Sequence, residues 1–350
     1  MQVMEDQQSP TQPQQASQLP EAHAVLQRLK QAVQAQVIGR DEVIDLTLIA
    51  LMADGHVLLE DFPGSGKTTL AKALGEAITN DMAPADSNNN RPPIASFRRI
   101  QFTPDLLPSD VTGSAVFDAS ANAFHFRYGP IFAHVVLADE INRTSPKVQS
   151  AMLEAMGEKQ VTVDNMTYPL DPLFFVIATQ NPLDLVGTYP LPTPQLDRFL
   201  FKITMSHIDR DAELEVLQTW QQRRDHLRQP GKVGRNEILA ARQIIDSKVF
   251  IADSIKTTLV DISRALRADE RVLQGNSTRS LVLILPALQV LAALRGRDYV
   301  NADDLDMLLP HVLAHRVELA PGIADFSKVL RDTMREPMEQ LARSTLRASS

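Results

Sequence analysis

A short glycine-bearing loop at residues 61–66 stands between an apolar run and a helix-forming run. In the order HVLLEDFPGSGKTTLAKAL, a strand leads into the loop and a helix follows it. Gly64 and Gly66 keep side chains away, so successive backbone N–H groups at the start of the helix can converge on phosphate oxygens. Lys67 adds a positive charge, and the Thr68 hydroxyl is suited to bind Mg²⁺. The pattern predicts a nucleoside triphosphate site.

The predicted phosphate-binding residues are Pro63, Gly64, Ser65, Gly66, Lys67, Thr68 and Thr69. The usual spacing, G-x-x-x-x-G-K-[ST], has glycine at the first position, where this chain has Asp61. Aspartate tolerates unusual backbone conformations better than most residues. We therefore interpret Asp61 as a variation at the start of the loop.

An acidic pair, Asp139 and Glu140, follows a second apolar run about 70 residues further along the chain. The carboxyl end of a parallel strand adjacent to the loop-bearing strand faces a bound nucleotide, and we expect the acidic strand to hold that adjacent place. Asp139 would then bind Mg²⁺ together with Thr68, and Glu140 would polarise the attacking water.

Three further polar residues have types that suit phosphoryl transfer. Asn181 ends the next apolar run, where its amide could orient water beside the γ-phosphate. Arg198 and Arg279 could spread the charge that develops in the transition state, an effect of about 10³–10⁵-fold in rate. The N-x-x-D spacing from Asn181 is that of a guanine-reading motif, but Pro182 replaces its lysine, so the sequence favours ATP over GTP.

The elements that must position these residues follow an alternating pattern. Near-continuous apolar runs predict strands buried on both faces of a parallel sheet, and amphipathic helices at 68–78 and 146–156 fall between them. The predicted strands are 56–60, 97–101, 135–139, 174–179 and 199–203. This alternation predicts an α/β fold with a three-layer αβα core around a central parallel sheet.

The chain divides into three predicted regions. Residues 1–20 are rich in Gln, Ser and Pro and predict a disordered tail. Residues 21–205 form the α/β nucleotide-binding domain, and residues 206–350 show helical patterns only, which predicts a smaller all-α lid. Two segments interrupt the core: a polar loop at 81–96 and a hairpin at 160–170 with the turn Asp164-Asn165.

The composition excludes several classes of protein. The chain of 350 residues has no cysteine, which rules out disulfide scaffolds, thiolate zinc sites, iron–sulfur clusters and a cysteine nucleophile. No signal peptide or membrane span is expected, so a cytoplasmic location is the default. The formal net charge of −8 argues mildly against a dedicated duplex-DNA binder, and nucleic acid is an unlikely partner.

Together these features resemble an AAA+ ATPase, and three long runs narrow the resemblance to the MoxR family. The runs are RIQFTPDLLPSDVTG (99–113), GPIFAHVVLADEINRTSPKVQSAMLEAM (129–156) and GTYPLPTPQLDRF (187–199). The resemblance covers residues 21 to about 320. It implies ATP and Mg²⁺ as cofactors, a ring that commonly has six subunits, and chaperone-like action on protein partners, often with a von Willebrand factor A domain protein.

The resemblance also implies a role for each site residue. Lys67 and Thr68 match Walker A, Asp139 and Glu140 match Walker B, Asn181 matches sensor 1, and Arg279 matches sensor 2. Arg198 matches the arginine finger that acts on the neighbouring subunit's nucleotide, although Arg143 is an alternative. Val37, Ile38 and Gly39 match the segment around adenine. The insert at 113–128, with Phe117, Phe124 and Phe126, and the 160–170 hairpin are candidates for client contact.

Other interpretations remain open from sequence alone. A metal-chelatase motor subunit shares this architecture, a nucleic-acid translocase is related to it, and a non-enzymatic scaffold is a further possibility. His311 and His315 have a metal-ligand spacing, i and i+4, but we expect a structural pair. The acidic run at 303–306 is expected in the first turn of a helix capped by Asn301. The basic cluster at 223–228 is expected to be a solvated helix face.

Overall fold

The computed structural model describes residues 18–60, 64–81, 94–120, 122–181, 187–221 and 231–348, with side chains up to residue 343. Most of the predicted tail, most of the polar loop at 81–96 and the basic cluster at 223–228 lie outside these residues. The first helix begins at Gln18, so the last three residues of the predicted tail are helical.

A parallel sheet of five strands forms the centre of the core, in the order β10-β1-β9-β6-β3. The five strands are β1 (Val57–Glu60), β3 (Ala95–Gln101), β6 (Ala133–Asp139), β9 (Phe175–Gln180) and β10 (Phe201–Thr204). Every residue of β6 is buried, as expected for a strand covered on both faces. The five predicted strands are therefore confirmed, with ends that shift by up to two residues.

One expectation about the order of the strands is wrong. We expected the strand that carries Asp139 to lie beside the loop-bearing strand β1, but β9 lies between them. β9 pairs with β1 on one side and with β6 on the other. The pattern of apolar residues in one strand does not specify its neighbours, because strand order depends on how the connecting helices cross the sheet.

Helices cover both faces of the sheet and make up most of the second half of the chain. They are α1 (Gln18–Gln34), α2 (Asp41–Met52), α3 (Lys67–Ala77), α4 (Pro108–Thr112), α5 (Pro146–Glu158), α6 (Thr193–Leu196), α7 (Arg210–Gln218), α8 (Arg235–Lys248), α9 (Asp253–Ala268), α10 (Thr278–Leu294), α11 (Ala302–Leu313) and α12 (Phe326–Ala348). A 3₁₀ turn spans Ile141–Arg143. Among the described residues, no helix combines the length and apolarity needed to cross a membrane.

Two antiparallel hairpins project from the core. The segment at 113–128 forms β4 (Gly113–Asp118) and β5 (Ala123–Tyr128), and the predicted second hairpin forms β7 (Gln160–Val163) and β8 (Met166–Pro169). Asp164 and Asn165 have φ angles of 50° and 62°. A two-residue turn with both φ angles positive matches the twist of the flanking strands, so the predicted turn is confirmed.

The second half of the chain contains short strands that the sequence did not predict. β12 (Val272–Gln274) pairs with β13 (Glu318–Leu319), and β11 (Val233–Gly234) pairs in parallel with β2 (Ile78–Thr79). The expectation that strands stop after residue 206 is therefore wrong in this detail. Strands of two or three residues are too short to show a periodic pattern. The lid remains mainly helical.

The lid helices pack directly on the amino-terminal helices. One apolar cluster contains Leu26 of α1, Leu74 of α3, Ile238 of α8 and Leu291 of α10, and a second cluster covers the opposite face of the sheet. Within β6, Val135 and Leu137 face the first cluster, whereas Val136 and Ala138 face the second. This alternation confirms the three-layer core and makes the core and lid share one apolar interior.

Two buried histidines make the stability of the fold sensitive to pH. Val176 donates its N–H to Nδ1 of His56 (3.1 Å), so Nε2 carries the proton and donates to the Met156 carbonyl (3.1 Å). Burial lowers the pKa of His56 from 6.5 to about 4. Burial and the Arg316 cation lower the pKa of His315 to about 3. Both histidines are therefore neutral in the folded chain at pH 5.

We expect the free energy of unfolding to fall as the pH is lowered from 6.5 towards 4. Between these values the unfolded chain binds protons that folded His56 and His315 cannot bind, so acid favours unfolding. His56 alone would contribute about 3 kcal/mol of this loss by pH 4. Urea unfolding at several pH values measures it. In His56→Asn the amide oxygen can still accept from the Val176 N–H, and the pH dependence of the unfolding free energy should become weaker. His125, whose side chain is 62% exposed, provides the control, because His125→Asn should leave that pH dependence unchanged.

Candidate active site

The glycine loop ends where α3 begins. Gly64 and Gly66 have φ angles of 91° and 93°, in the left-handed region that favours glycine. A Cβ at either position would meet no atom within 4 Å, so backbone conformation, not space, requires glycine here. Lys67, Thr68 and Thr69 form the first turn of α3, whose N–H groups have no partner within the helix. This turn is therefore suited to bind an anion. Pro63 lies outside the described residues.

The carboxyl ends of the parallel strands meet at one edge of the sheet, the edge from which the glycine loop leaves. Glu60, the last residue of β1, stands level with Gln180 of β9. Gln101 of β3 stands level with Asp139 of β6. Asn181 follows β9 directly and is half-buried. The register therefore gathers the predicted acidic pair, the predicted amide and the loop at one edge.

Asp139 is held by two partners from neighbouring strands. Its Oδ1 accepts a hydrogen bond from the Thr179 hydroxyl (2.7 Å), and its Oδ2 accepts from Nη2 and Nε of Arg99 (2.6 and 3.0 Å). The residue is 7% exposed. Buried carboxylates need such partners, because an unpaired buried charge is costly. These contacts fix the carboxylate at the end of β6.

Glu140 has an unusual backbone conformation and a partly exposed carboxylate. Its φ angle is 57°, and its N–H donates to the Thr179 hydroxyl (2.9 Å). Its Oε2 accepts from Nε2 of Gln101 (2.8 Å) and lies 3.2 Å from Nε of Arg143. One hydroxyl, that of Thr179, thus joins the backbone of Glu140 to the side chain of Asp139. Non-glycine residues at positive φ are often found at functional sites.

The donor set at this edge fits a magnesium ion. The Thr68 hydroxyl and the Asp139 carboxylate are hard oxygen ligands of the kind Mg²⁺ prefers. Among the described residues, no group of three or more His, Cys, Asp or Glu side chains could hold a metal ion. Mg²⁺ is commonly bound by one or two protein ligands together with substrate phosphates and water, so this sparse set suits it.

The predicted adenine segment lies against the start of the lid. Val37 is buried, and Ile38 is half-buried. Gly39 has a φ of 68°, and a Cβ there would lie 2.5 Å from Cβ of Ala212. Nη2 of the neighbouring Arg40 donates to the Ser65 carbonyl (3.2 Å), and Nη1 donates to the Ser206 carbonyl. Arg40 therefore connects the glycine loop to the chain that leaves the core.

The two predicted arginines come from segments far apart in the sequence, and Asp197 links these segments. Nε of Arg279, in the first turn of α10, is 3.9 Å from Oδ2 of Asp197, and its side chain is 57% exposed. Arg198 follows Asp197 and donates from Nη1 to the Leu153 carbonyl of α5 in its own chain (3.0 Å). The alternative residue, Arg143, lies beside Glu140.

Sequence reasoning missed four residues that organise the site: Arg40, Arg99, Gln101 and Thr179. Thr179 is the first polar residue in the otherwise apolar start of β9, FVIAT, which is a visible signal. Arg99 and Gln101 alternate in β3 and therefore share one face, but their partners become apparent only when β3 pairs with β6.

The remaining sequence features have structural partners. Nε2 of His311 is 3.5 Å from Glu42, whereas Nε2 of His315 is 3.0 Å from the Phe199 carbonyl, so the two histidines contact different groups. Asn301 caps α11 by accepting from the Asp304 N–H (3.2 Å), which confirms the predicted cap. Most of the N-x-x-D run after Asn181 lies outside the described residues.

Two protein-family models match the chain. Residues 56–201 match the family described as ATPase family associated with various cellular activities (AAA). Residues 264–337 match the AAA lid domain. The first match covers the sheet from β1 to the first residue of β10, and the second covers the carboxyl-terminal lid helices from within α9.

Several known proteins match most of the chain. The chain is 44% identical over 302 residues to YeaC of Bacillus subtilis, covering 85% of this chain and 88% of the relative. It is 34% identical to Chaperone MoxR1 of Mycobacterium tuberculosis, covering 84% and 76%. A crystal structure of a protein inferred to be an ATPase, from Cytophaga hutchinsonii, has a TM-score of 0.80 and 33% identity, covering 91% and 96%.

Proposed function

Because the chain belongs to the MoxR family of AAA+ ATPases, we propose that it hydrolyses ATP to ADP and phosphate and uses this reaction to remodel or mature protein partners. The observation that supports hydrolysis most directly is the cluster at the strand ends, in which Thr179 joins Asp139 to Glu140. This cluster lies at the edge of the sheet from which the glycine loop leaves. We assign residues 21–205 to the nucleotide-binding domain and residues 206–350 to the lid.

The residues of this chain divide the work of hydrolysis among them. Lys67 and the N–H groups of the first turn of α3 bind the phosphates. Thr68 and Asp139 would hold Mg²⁺, which neutralises charge on the phosphate oxygens when bound. Glu140 accepts a hydrogen bond from the attacking water and takes its proton as the water oxygen attacks the γ-phosphate and ADP leaves. Asn181 orients that water. In the structure it is Oε2 of Glu140 that contacts Gln101 and Arg143.

Two arginines complete the site, one at the boundary between core and lid and one at the boundary between subunits. Arg279 reaches the γ-phosphate from the lid of its own chain, and Arg198 reaches the nucleotide of the neighbouring subunit. A ring, commonly of six subunits in this family, supplies that neighbour. Hydrolysis is then coupled to assembly and to the relative motion of core and lid. Native mass measurement with ATP tests the ring.

A protein is the proposed partner. One relative is named a chaperone, and the net charge of −8 does not favour a polyanionic partner. A von Willebrand factor A domain protein is the expected kind of partner, and the cytoplasm the expected location. The direct test of the enzymatic part is phosphate release from ATP and Mg²⁺ by the assembled protein. Release no greater than in the protein-free control would contradict it.

The β4–β5 hairpin is the proposed client contact. Phe117 and Phe124 stand opposite each other, with ring centroids 5.2 Å apart, and are 50% and 73% exposed. Phe126, near the base, instead stacks on Tyr168 of the second hairpin with centroids 3.9 Å apart. The base is therefore anchored, and the exposed pair at the tip contributes little to the fold. Exposed apolar clusters commonly mark contact sites.

We expect Phe117→Ser combined with Phe124→Ser to leave basal ATP hydrolysis within about two-fold of wild type, because surface substitutions rarely affect a distant site. The same pair should abolish retention of partner proteins by a chain that is trapped in its ATP state. Affinity capture with quantitative mass spectrometry measures retention. Val260→Ser, at an exposed apolar position of the lid (44% exposed), is the matched control. Unchanged retention by the hairpin variant would contradict the assignment.

A further inference from the structure

The segment that carries Arg198 is bound to the lid by two buried side chains, His315, which contacts the Phe199 carbonyl, and Arg316. Nε of Arg316 lies 2.6 Å from Oδ1 of Asp197. Its remaining N–H groups donate to the carbonyls of Asp197, Phe199 and Leu200, at 3.1, 2.6 and 3.1 Å. The Arg316 side chain is 2% exposed. A planar guanidinium with this many partners holds the turn at 197–200 in one conformation.

The guanidinium of Arg198 packs on α5, in a position, here called the seat, that is formed by the Leu153 carbonyl and Gly157. Nη1 of Arg198 donates to the Leu153 carbonyl (3.0 Å), near the carboxyl end of the helix, where the helix dipole favours a cation. Gly157 forms the floor of this seat, because a Cβ there would lie 2.0 Å from Nη1 of Arg198. The guanidinium therefore occupies the volume that any other side chain at position 157 would fill.

Asp197 contacts both Arg316 and Arg279, the residue that matches sensor 2. Its Oδ1 binds Arg316, and its Oδ2 lies 3.9 Å from Nε of Arg279. Arg279 is 57% exposed, so it can leave Asp197 for a phosphate without breaking a buried contact. The Asp197 carboxylate thus contacts Arg279, which is proposed to act on the chain's own nucleotide. Asp197 also directly precedes Arg198, which is proposed to act on the nucleotide of the neighbouring subunit.

We propose that Gly157 and Asp197 are positioning residues for Arg198. Gly157 provides the volume for the guanidinium on α5, and Asp197 ties the turn that carries Arg198 to Arg316 of the lid. A movement of the lid is thereby transmitted to the arginine that enters the next subunit. This inference rests on the proposed function of Arg198. The contacts on which it is built lie within one chain.

Gly157→Ala is the sharpest test, because alanine favours a helix more than glycine does and the variant should fold at least as well as wild type. The methyl group would displace Nη1 from its seat. We expect kcat for ATP hydrolysis to fall about 10- to 100-fold, since a misplacement of about 1 Å can have such an effect, with the Kd for ATP within about two-fold. Ser150→Ala, on the exposed face of the same helix, should leave both unchanged.

A positioning role predicts that the substitutions are not additive. Gly157→Ala combined with Arg198→Ala should have the kcat of Arg198→Ala alone, because the seat has no effect once the guanidinium is removed. Asp197→Asn should behave in the same way, and Asp197→Glu should recover part of the activity. Thermal unfolding of each variant identifies any loss of stability that follows when the buried Arg316 cation loses the Asp197 carboxylate.

The outcomes separate this inference from the proposed function. An unchanged or raised kcat in Gly157→Ala, or a full multiplicative loss in the double variant, would overturn the positioning role while leaving the ATPase assignment intact. A wild-type kcat in Arg198→Ala would overturn both the role of Arg198 and the inference built on it. A large change in the Kd for ATP with an unchanged kcat would also overturn it, because it would show an effect on the chain's own site.

Discussion

Glu140→Gln is expected to bind ATP as wild type does and to hydrolyse it about 10²–10⁴-fold more slowly, the range that a general base contributes. The amide has nearly the shape of the carboxylate, and its oxygen can still accept from Gln101 and Arg143. The contact between the Glu140 N–H and Thr179 is unaffected, because it is made by the backbone. Phosphate release and nucleotide affinity, measured separately, check the two halves of the prediction.

Glu154→Gln is the matched control, since Glu154 lies on the exposed surface of α5 and the substitution removes the same charge. It should hydrolyse ATP at the wild-type rate. Wild-type turnover in Glu140→Gln would show that a different group polarises the water. The slow variant has a further use, because a chain that retains ATP also retains the partners that bind its ATP state, and these can be identified by mass spectrometry.

The sequence was sufficient to predict the sheet and the loop because both depend on local patterns. Every residue from Ala133 to Leu137 except His134 is apolar, and all five are buried. The glycine loop, Lys67 and Thr68 occur in one short segment whose order of strand, loop and helix is visible in the residues themselves. The cap at Asn301 and the turn at Asp164-Asn165 were predictable for the same reason.

The contacts of the acidic pair were not predictable, because they depend on which strands become neighbours. Arg99 precedes Asp139 by 40 residues and reaches it only because β3 pairs with β6. Thr179 reaches Asp139 from the other side because β9, not β1, is the second neighbour of β6. The order of strands in a parallel sheet is set by the connections between them, so no pattern within a single strand specifies it.

The sequence also could not distinguish the two candidate arginine fingers. Arg143 and Arg198 both lie in family-like runs, and isolated arginines are usually surface charges. The structure gives them different surroundings, since Arg143 lies 3.2 Å from Glu140 of its own chain, whereas Arg198 rests on α5, away from that pair. Loss of Arg143 would therefore disturb its own acidic pair directly. This difference favours Arg198 as the residue that serves a neighbouring subunit.

Arg198→Ala is expected to lower ATP hydrolysis by the assembled ring about 10³-fold or more, because a trans-acting arginine stabilises the charge of the transition state to that extent. Nucleotide affinity should change little, since the site of each chain keeps its own glycine loop and Lys67. The substitution removes one hydrogen bond to the Leu153 carbonyl, so the fold should be retained. Steady-state phosphate release at protein concentrations that maintain the ring measures the loss.

Mixing two inactive variants decides whether Arg198 acts on a neighbour. Lys67→Ala removes phosphate binding but leaves Arg198 in place, whereas Arg198→Ala leaves the glycine loop in place. In a mixed ring, a Lys67→Ala subunit can supply Arg198 to the intact site of an Arg198→Ala subunit, so part of the activity should return. If Arg198 acted only within its own chain, no subunit in the mixture would hold both the loop and the arginine, and the mixture would remain inactive. The same experiment with Arg143→Ala should give no recovery, because Arg143 contacts Glu140 of its own chain, and recovery there would transfer the role to Arg143.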